Sequence, residues 1–162
     1  MKKRNSNRGD NRQIKRSNLK IRQSVSSRGF LLDTCALVDF LNCLLPENID
    51  DDLYRRPTYY SDESLREIAL KKRLGELEIK KSITDIMDNL HSLNIKRFKD
   101  EKSTFEAMEN LPVLTIENKK HGDTSDRCII SEAIDGELTL LSRDQKFSHY
   151  EKYGLDLLYY GD

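Results

Sequence analysis

Residues 121–144 place the strongest constraint on the fold, because a helix and a buried strand follow each other directly there. After a polar segment rich in Gly, Asp, Thr and Ser come Ile129, Ile130, Ala133 and Ile134. This spacing predicts the buried stripe of an amphipathic helix. Gly136 predicts the end of that helix, and residues 138–141 predict a short buried strand. The segment is therefore typical of an α/β fold.

The rest of the chain repeats this alternation of strand and helix. Strands are predicted at residues 30–32, 59–60, 95–98 and 155–160, and helices at 36–45, 61–74, 82–93 and 105–111. The charged segment 46–57 is predicted to be a loop. Strands and helices that alternate at this spacing predict an α/β three-layer sandwich, with a central, mainly parallel sheet and helices on both faces.

Charge is divided unevenly along the chain. The sequence has 28 basic and 28 acidic residues, but residues 1–28 contain ten Lys and Arg and only Asp10 as an acid. This segment has no repeating apolar face, so it is predicted to be a basic tail that is disordered when free. Residues 29–162 are predicted to form one domain. The tail either contacts the backbone of RNA or DNA or is only a solvated extension.

Cysteine usage and hydropathy indicate an intracellular protein. Cys35, Cys43 and Cys128 show no C-x-x-C spacing, which predicts buried free thiols in a reducing cytoplasm, without a disulfide or a zinc site. The apolar residues between 29 and 45 are interrupted by acids and are too few to span a bilayer. No membrane or targeting segment is predicted.

Four acidic residues fall at the ends of predicted elements. Asp33 follows the first strand, and Glu67 lies in the first turns of the helix after the second strand. Asp126 begins the helix before the fourth strand, and Asp144 follows that strand. In a parallel sheet all four positions meet at the carboxyl edge, where open α/β sheets bind ligands.

Three of these acids also have an ordinary explanation. Asp126 has the position of a helix N-cap, and Asp144 that of the first polar residue of a turn. Ser64 and Glu67 have the spacing of a capping box. The functional interpretation therefore depends on whether the four carboxylates converge.

Converging carboxylates predict a divalent metal ion, because carboxylates that lie close together cannot all stay ionised without compensation. Mg²⁺ and Mn²⁺ prefer oxygen ligands. Such an ion lowers the pKa of its bound water and stabilises charge on a scissile phosphate. The sequence contains no glycine-rich phosphate loop, and no Ser-His-Asp or Cys-His arrangement has local support. The residues alone therefore predict a metal-dependent phosphodiesterase.

Three segments also resemble the motifs of PIN-domain nucleases, in the same order. The branch they resemble most is that of the bacterial toxins of type II toxin–antitoxin pairs. The three segments are FLLDTCALVDFLNCLL (30–45), YYSDESLREIALKKRLGEL (59–77) and HGDTSDRCIISEAIDGELTLLSRDQKFSHY (121–150).

The resemblance implies a site and an activity. It implies a PIN-like domain, RNA cleavage that depends on Mg²⁺ or Mn²⁺, a homodimer, and inhibition by a small antitoxin. The implied catalytic residues are Asp33, Glu67, Asp126 and Asp144. We expect Asp33, Asp126 and Asp144 to ligate the metal and Glu67 to orient water or a second ion. Thr34, Asp123 and Ser142 are expected to support these ligands through hydrogen bonds.

The sequence also departs from this branch, and alternatives stay open. Arg66 stands where a Trp usually precedes the Glu of the second motif, and Thr124 and Ser125 replace a usual Pro-Phe pair. Arg127 is predicted either to meet a phosphate or to form a surface salt bridge. One alternative function is a non-catalytic RNA-binding or protein-interaction module on the same fold. Another is a DNA nuclease that uses the same metal chemistry.

Overall fold

The structure is a computed structural model that describes residues 28–161. Its main sheet contains β1 (Phe30–Leu32), β2 (Thr58–Tyr60), β3 (Ile95–Arg97), β6 (Thr139–Ser142) and β7 (Asp156–Tyr159). The order is β3–β2–β1–β6–β7, and every pair is parallel. Phe30 of the central strand lies opposite Thr58 on one side and Thr139 on the other. The predicted parallel sheet is confirmed.

Helices connect these strands. They are α1 (Thr34–Leu41), α2 (Glu47–Arg55), α3 (Asp62–Leu74), α4 (Ile83–Ser92), α5 (Lys102–Asn110), α6 (Thr124–Asp135) and a 3₁₀ helix (Gln145–Tyr153). Gly75 ends α3 in the left-handed conformation, with a φ of 74°, which costs a glycine little. Apart from α2, each helix lies where the sequence predicts a helix or helical turn.

Two apolar cores show that the fold has three layers. Phe30 and Leu32 of β1 pack into one core with side chains of α1, α2, α3 and α4. Leu31, between them, packs into the other core with Ile129 and Ile130 of α6. Successive side chains of a strand point to opposite faces, so this alternation covers both faces of the sheet with helices. The predicted three-layer α/β sandwich is confirmed.

The segment predicted as a charged loop contains α2. Ile49 and Leu53, four residues apart, are buried in the first core, while the acidic residues around them face outward. Pro46 precedes the first turn, a position where its missing N–H costs nothing. The helix buries only two side chains, and most of the residues around them are charged. The apolar pattern was therefore too short to predict a helix.

A hairpin lies outside the main sheet and was not predicted. Its antiparallel strands are β4 (Leu114–Ile116) and β5 (Lys119–His121). The turn residues Glu117 and Asn118 have φ values of 51° and 64°, a pair typical of a type I′ turn. Glycine usually marks such turns, and its absence here removes the signal. The hairpin ends at His121, immediately before the polar segment that leads into α6.

Three further expectations have different outcomes. The basic tail predicted for residues 1–28 lies, except for Arg28, outside the described residues, so it stays a prediction. All three cysteines are free, as predicted, but Cys43 is exposed and Cys35 and Cys128 are half-buried, so the prediction that they are buried is wrong. Between residues 28 and 161 no helix is long and apolar enough to cross a bilayer.

Candidate functional site

All four predicted acids line one cavity at the carboxyl edge of the sheet. The cavity has a volume of about 430 Å³ and lies between α1, α3, α6 and the 3₁₀ helix. Its apolar wall comes from Val38, Leu77, Ile129 and Phe147. The structure therefore brings together Asp33, Glu67, Asp126 and Asp144, which come from four separate places in the sequence.

Asp33 is the most buried acid of the cavity. It is the first residue after β1, is 3% exposed, and accepts a hydrogen bond from the backbone N–H of Ala36 at 2.7 Å. The Ser142 hydroxyl and the Cys35 thiol also donate to its carboxylate. Burial raises the pKa of Asp33 to about 6, against these hydrogen bonds and with a smaller contribution from the charge of Asp126. All its donors are neutral, so a cation would stabilise the ionised form.

Glu67 is held by α1 and by its own helix. The Thr34 hydroxyl donates to Oε2 at 2.6 Å, and Lys71 Nζ lies 2.6 Å from Oε1. The N-cap of α3 is Ser61, so the alternative in which Ser64 and Glu67 form a capping box is wrong. Glu67 lies in the second turn, and its carboxylate faces the cavity.

Asp126 is likewise not the helix cap. Asp123 caps α6, because its Oδ1 accepts the backbone N–H of Asp126 at 3.1 Å. Asp126 thereby stays free to face the cavity. Burial first, and then the charges of Asp123 and Asp144, raise its pKa, while His121 opposes that shift. These carboxylates therefore repel one another in the folded protein.

Asp144 combines a structural role with a place in the cavity. It lies two residues after β6, and its Oδ1 accepts the backbone N–H of Lys146 at 2.9 Å, which caps the 3₁₀ helix. Its own N–H donates to the Ser142 hydroxyl at 2.9 Å. Ser142, which also donates to Asp33, thus links two of the four acids.

His121 is a site residue that the sequence analysis missed. It is buried at the end of β5, with Nε2 at 3.0 Å from Asp126 Oδ2 and Nδ1 at 2.8 Å from the Tyr150 hydroxyl. An ionised carboxylate only accepts hydrogen bonds, so Nε2 carries the proton, and a neutral ring then accepts from Tyr150. The sequence signal was its position at the start of the third motif.

Arg127 has a structural role that was not predicted. Its guanidinium donates to three backbone carbonyls at the end of α5: those of Met108 at 3.2 Å, Leu111 at 2.6 Å and Pro112 at 3.0 Å. Within residues 28–161 the guanidinium forms no salt bridge, and the phosphate contact stays a prediction. Arg127 joins α5 to α6.

We expect Arg127→Met to lower the free energy of unfolding by about 2–4 kcal/mol, because three carbonyls lose a charged donor while the apolar stem is kept. Urea unfolding measures this change. Arg73→Met on the exposed end of α3 is the matched control and should stay within about 0.5 kcal/mol of wild type. An unchanged midpoint for Arg127→Met would show that the three contacts contribute nothing to stability.

The donors of the cavity suit a hard divalent cation. Its lining contains five carboxylates, including Glu76, and two basic residues, Lys71 and Arg143, of which Lys71 is paired with Glu67. Carboxylate oxygens are the preferred ligands of Mg²⁺ and Mn²⁺. In residues 28–161, however, no three His, Cys, Asp or Glu groups are already close enough to enclose an ion. The chemistry of the site fits a metal, and its side chains would have to draw together around one.

A second buried carboxyl group lies beside the carboxyl end of β2. Glu132 on α6 is 2% exposed, and the Ser61 hydroxyl donates to its Oε1 at 2.8 Å. Its Oε2 is buried and accepts no hydrogen bond from the described part of the chain. Burial, and then the charges of Asp100, Asp62 and Glu63, raise the pKa of Glu132 to about 8. A pKa raised to about 8 favours the protonated, neutral form of the Glu132 carboxyl group at neutral pH.

Comparison with known proteins identifies similar solved structures. No protein-family model and no curated protein matches the chain. The structure of VapBC2 from Rickettsia felis bound to a DNA fragment from its promoter has a matching chain with a TM-score of 0.58 and 20% identity, over 81% of this chain and 98% of that one.

Two further structures give similar results. FitAB bound to the IR36 DNA fragment matches with a TM-score of 0.53 and 16% identity, over 80% of this chain and 94% of that one. FitAcB from Neisseria gonorrhoeae matches with a TM-score of 0.51 and 17% identity, over 80% and 96%. At these identities the likeness concerns the fold. The chain has the PIN-like α/β fold that its sequence motifs implied.

Proposed function

We propose that this protein is a toxin-like, divalent-metal-dependent endoribonuclease that hydrolyses phosphodiester bonds of RNA at the carboxyl edge of the sheet. The observation that carries the proposal is the convergence of Asp33, Glu67, Asp126 and Asp144 on one cavity. A scaffold gains nothing from repulsion among clustered carboxylates, whereas a metal-dependent nuclease needs such carboxylates as ligands. The fold shared with toxin–antitoxin complexes supports the same function.

The proposal gives each of the acids a role. Asp33, Asp126 and Asp144 would hold Mg²⁺ or Mn²⁺, which when bound supplies an activated water and stabilises charge on the phosphate. Glu67 orients the attacking water. Thr34 and Lys71 fix the Glu67 carboxylate from two sides, at 2.6 Å each.

The residues behind the acids complete the site. The Ser142 hydroxyl donates to Asp33 and accepts from the N–H of Asp144, which keeps these two acids side by side. Asp123 caps α6, so the carboxylate of Asp126 is not needed as a cap. These contacts give Thr34, Asp123 and Ser142 the supporting roles that we propose for them.

Cleavage of a mixture of RNA and single-stranded DNA by the purified protein tests the proposal. We expect RNA to be cut in Mg²⁺ or Mn²⁺ and to stay intact in EDTA, and we expect either ion to raise the melting temperature. If only DNA is cut, the protein is a DNA nuclease with the same metal chemistry. If neither is cut and metal gives no thermal shift, the protein is a non-catalytic RNA-binding or protein-interaction module.

We also propose two protein partners: a small antitoxin and a second copy of this chain. The structural likenesses are to toxin–antitoxin complexes, which supports an antitoxin partner. Leu70 and Leu74, 59% and 60% exposed, lie three and seven residues after Glu67 and therefore on the same side of α3. An apolar helix of an antitoxin laid on these leucines would cover the cavity. Light scattering of the purified chain distinguishes a monomer from the proposed homodimer.

We expect His121→Ala to weaken Mn²⁺ binding about 10- to 100-fold, because Asp126 loses the hydrogen bond that orients it. Calorimetric titration with Mn²⁺ measures the affinity, and circular dichroism checks the fold. Tyr150→Phe keeps the ring but removes the hydroxyl at Nδ1, so it should cause a smaller loss in the same direction. Equal Mn²⁺ affinity for His121→Ala and wild type would exclude this orienting role.

A further inference from the structure

Three basic side chains lie on or next to the cavity, and two of them have their donors engaged. Lys71 is paired with Glu67 at 2.6 Å. Arg127 donates to the three carbonyls at the end of α5. Arg143 is the third, and it lines the cavity between Ser142 and Asp144.

The guanidinium of Arg143 forms one ion pair within the described part of the chain. Its Nε lies 3.4 Å from Asp39 Oδ2, and the side chain is 55% exposed. Within residues 28–161, Asp39 is the only carboxylate paired with this guanidinium, and the Cys35 thiol is a further hydrogen-bonding partner of the side chain. The ion pair with Asp39 uses Nε and leaves the two terminal nitrogens directed elsewhere. These nitrogens form a planar fork that matches the oxygens of a phosphate group.

Asp39, which holds Arg143, is itself fixed. It lies on α1 with its side chain 5% exposed, and the Tyr160 hydroxyl donates to its Oδ2 at 2.7 Å. Tyr160 follows β7, and its backbone N–H donates to the carbonyl of Ser142 at 3.0 Å. An ion pair with one half-exposed partner contributes little to stability. The rigidity of Asp39 and Tyr160 instead limits the directions in which Arg143 can point.

We propose that Arg143 binds a phosphate of single-stranded RNA at the mouth of the cavity, with Asp39 and Tyr160 as its positioning residues. This inference rests on the proposed function and adds the contact that holds the substrate backbone. The four acids repel a phosphodiester, and a cation fixed beside Asp144 offsets that repulsion. Because the contact is to the backbone, it is independent of base sequence.

Fluorescence anisotropy with a short, labelled single-stranded RNA that carries phosphorothioate linkages tests the contact in Mg²⁺ buffer. We expect Arg143→Ala to bind about 10- to 100-fold more weakly than wild type, since a charge-assisted contact is lost. The slope of log affinity against log salt should fall by about 0.7. Lys96→Ala removes an equal charge from the exposed edge strand β3, which does not line the cavity, and it should match wild type.

Tyr160→Phe tests the positioning. The variant keeps the ring and removes the hydrogen bond to Asp39, so RNA affinity should fall about 2- to 10-fold. In an Arg143→Ala background the same substitution should have no further effect on affinity, because the side chain that it positions is gone. Additive losses would show that Tyr160 acts by another route.

The outcomes separate this inference from the proposed function. If Arg143→Ala is folded and binds RNA with the affinity and salt slope of wild type, the phosphate contact is wrong, whether or not wild type cuts RNA. If binding depends on Arg143 but no RNA is cut in Mg²⁺ or Mn²⁺, the contact stands and the nuclease proposal fails. Failure of wild type to bind the RNA at all would overturn both.

Discussion

Asp33→Asn is expected to reduce metal-dependent RNA cleavage about a thousandfold or more, while the protein stays folded. The substitution replaces an anionic ligand with a neutral amide, and the several kcal/mol that a bound metal contributes to the transition state are then lost. The amide oxygen still accepts the N–H of Ala36, so α1 keeps its cap. Removing a charge that is 3% exposed also ends its repulsion with Asp126, so stability should be equal or higher.

Cleavage rates and urea midpoints, measured on the same preparations, check this prediction. Asp88→Asn on the exposed face of α4 is the matched control and should change neither. If Asp33→Asn unfolds the protein, Asp33 is a structural residue and its proposed role as a ligand is wrong. If the variant is folded and still cuts RNA at the wild-type rate, the cavity does not use Asp33.

Glu132→Gln is expected to stabilise the protein strongly at high pH and to have little effect at low pH. The pKa of Glu132 rises from 4.5 to about 8 on folding. Between these values the folded state binds a proton that the unfolded state has released, so wild-type stability falls as the pH rises through this window. Gln is neutral at every pH and avoids this cost. The difference reaches at most about 5 kcal/mol above the upper value.

Urea unfolding at one pH below 4.5 and one above 8 measures this difference for wild type and variant. The Gln side chain keeps an oxygen that can accept from the Ser61 hydroxyl, so the connection between α6 and the start of α3 is retained. Glu106→Gln on the exposed face of α5 should show no such pH dependence. A constant difference between wild type and Glu132→Gln at both pH values would mean that folding does not shift the pKa of Glu132.

The parts of the fold that follow from local pattern were predictable. The run Phe30, Leu31 and Leu32 has no polar residue, as expected of a strand covered on both faces, and all three side chains are buried. The helix that begins after Asp123 shows its stripe in Ile129 and Ile130. These patterns fixed the sheet edge at which the four acids meet.

The choice between a capping role and a cavity role was not predictable from spacing alone. Ser61 and Ser64 both precede Glu67 at distances that suit a helix start, and Asp123 and Asp126 offer the same choice for α6. Only the backbone shows that Ser61 and Asp123 are the caps. Asp144 does both, since it caps the 3₁₀ helix and lines the cavity.

Residues whose positions depend on tertiary contacts could not be predicted from the sequence. His121 reaches Asp126 because an unpredicted hairpin ends there, and the turn of that hairpin contains no glycine. Glu132 is buried, although carboxyl groups usually face solvent. The sequence pattern of α6 would therefore place it on the exposed face of the helix. Arg143 can be singled out only in the structure, which shows Lys71 paired with Glu67 and Arg127 bonded to backbone carbonyls.

The pairing of β1 with β6 determines when the site can form. Asp33 and Ser142 contact each other across 109 residues of sequence, and Asp144 lies beyond both. In the sheet, β6 lies between β1 and β7. During synthesis the chain contains Asp33 and Glu67 long before it contains Asp126 and Asp144. Until β6 has been made, the edge of β1 that pairs with it has no partner strand. The complete cavity appears only in a molecule whose last strands have been made.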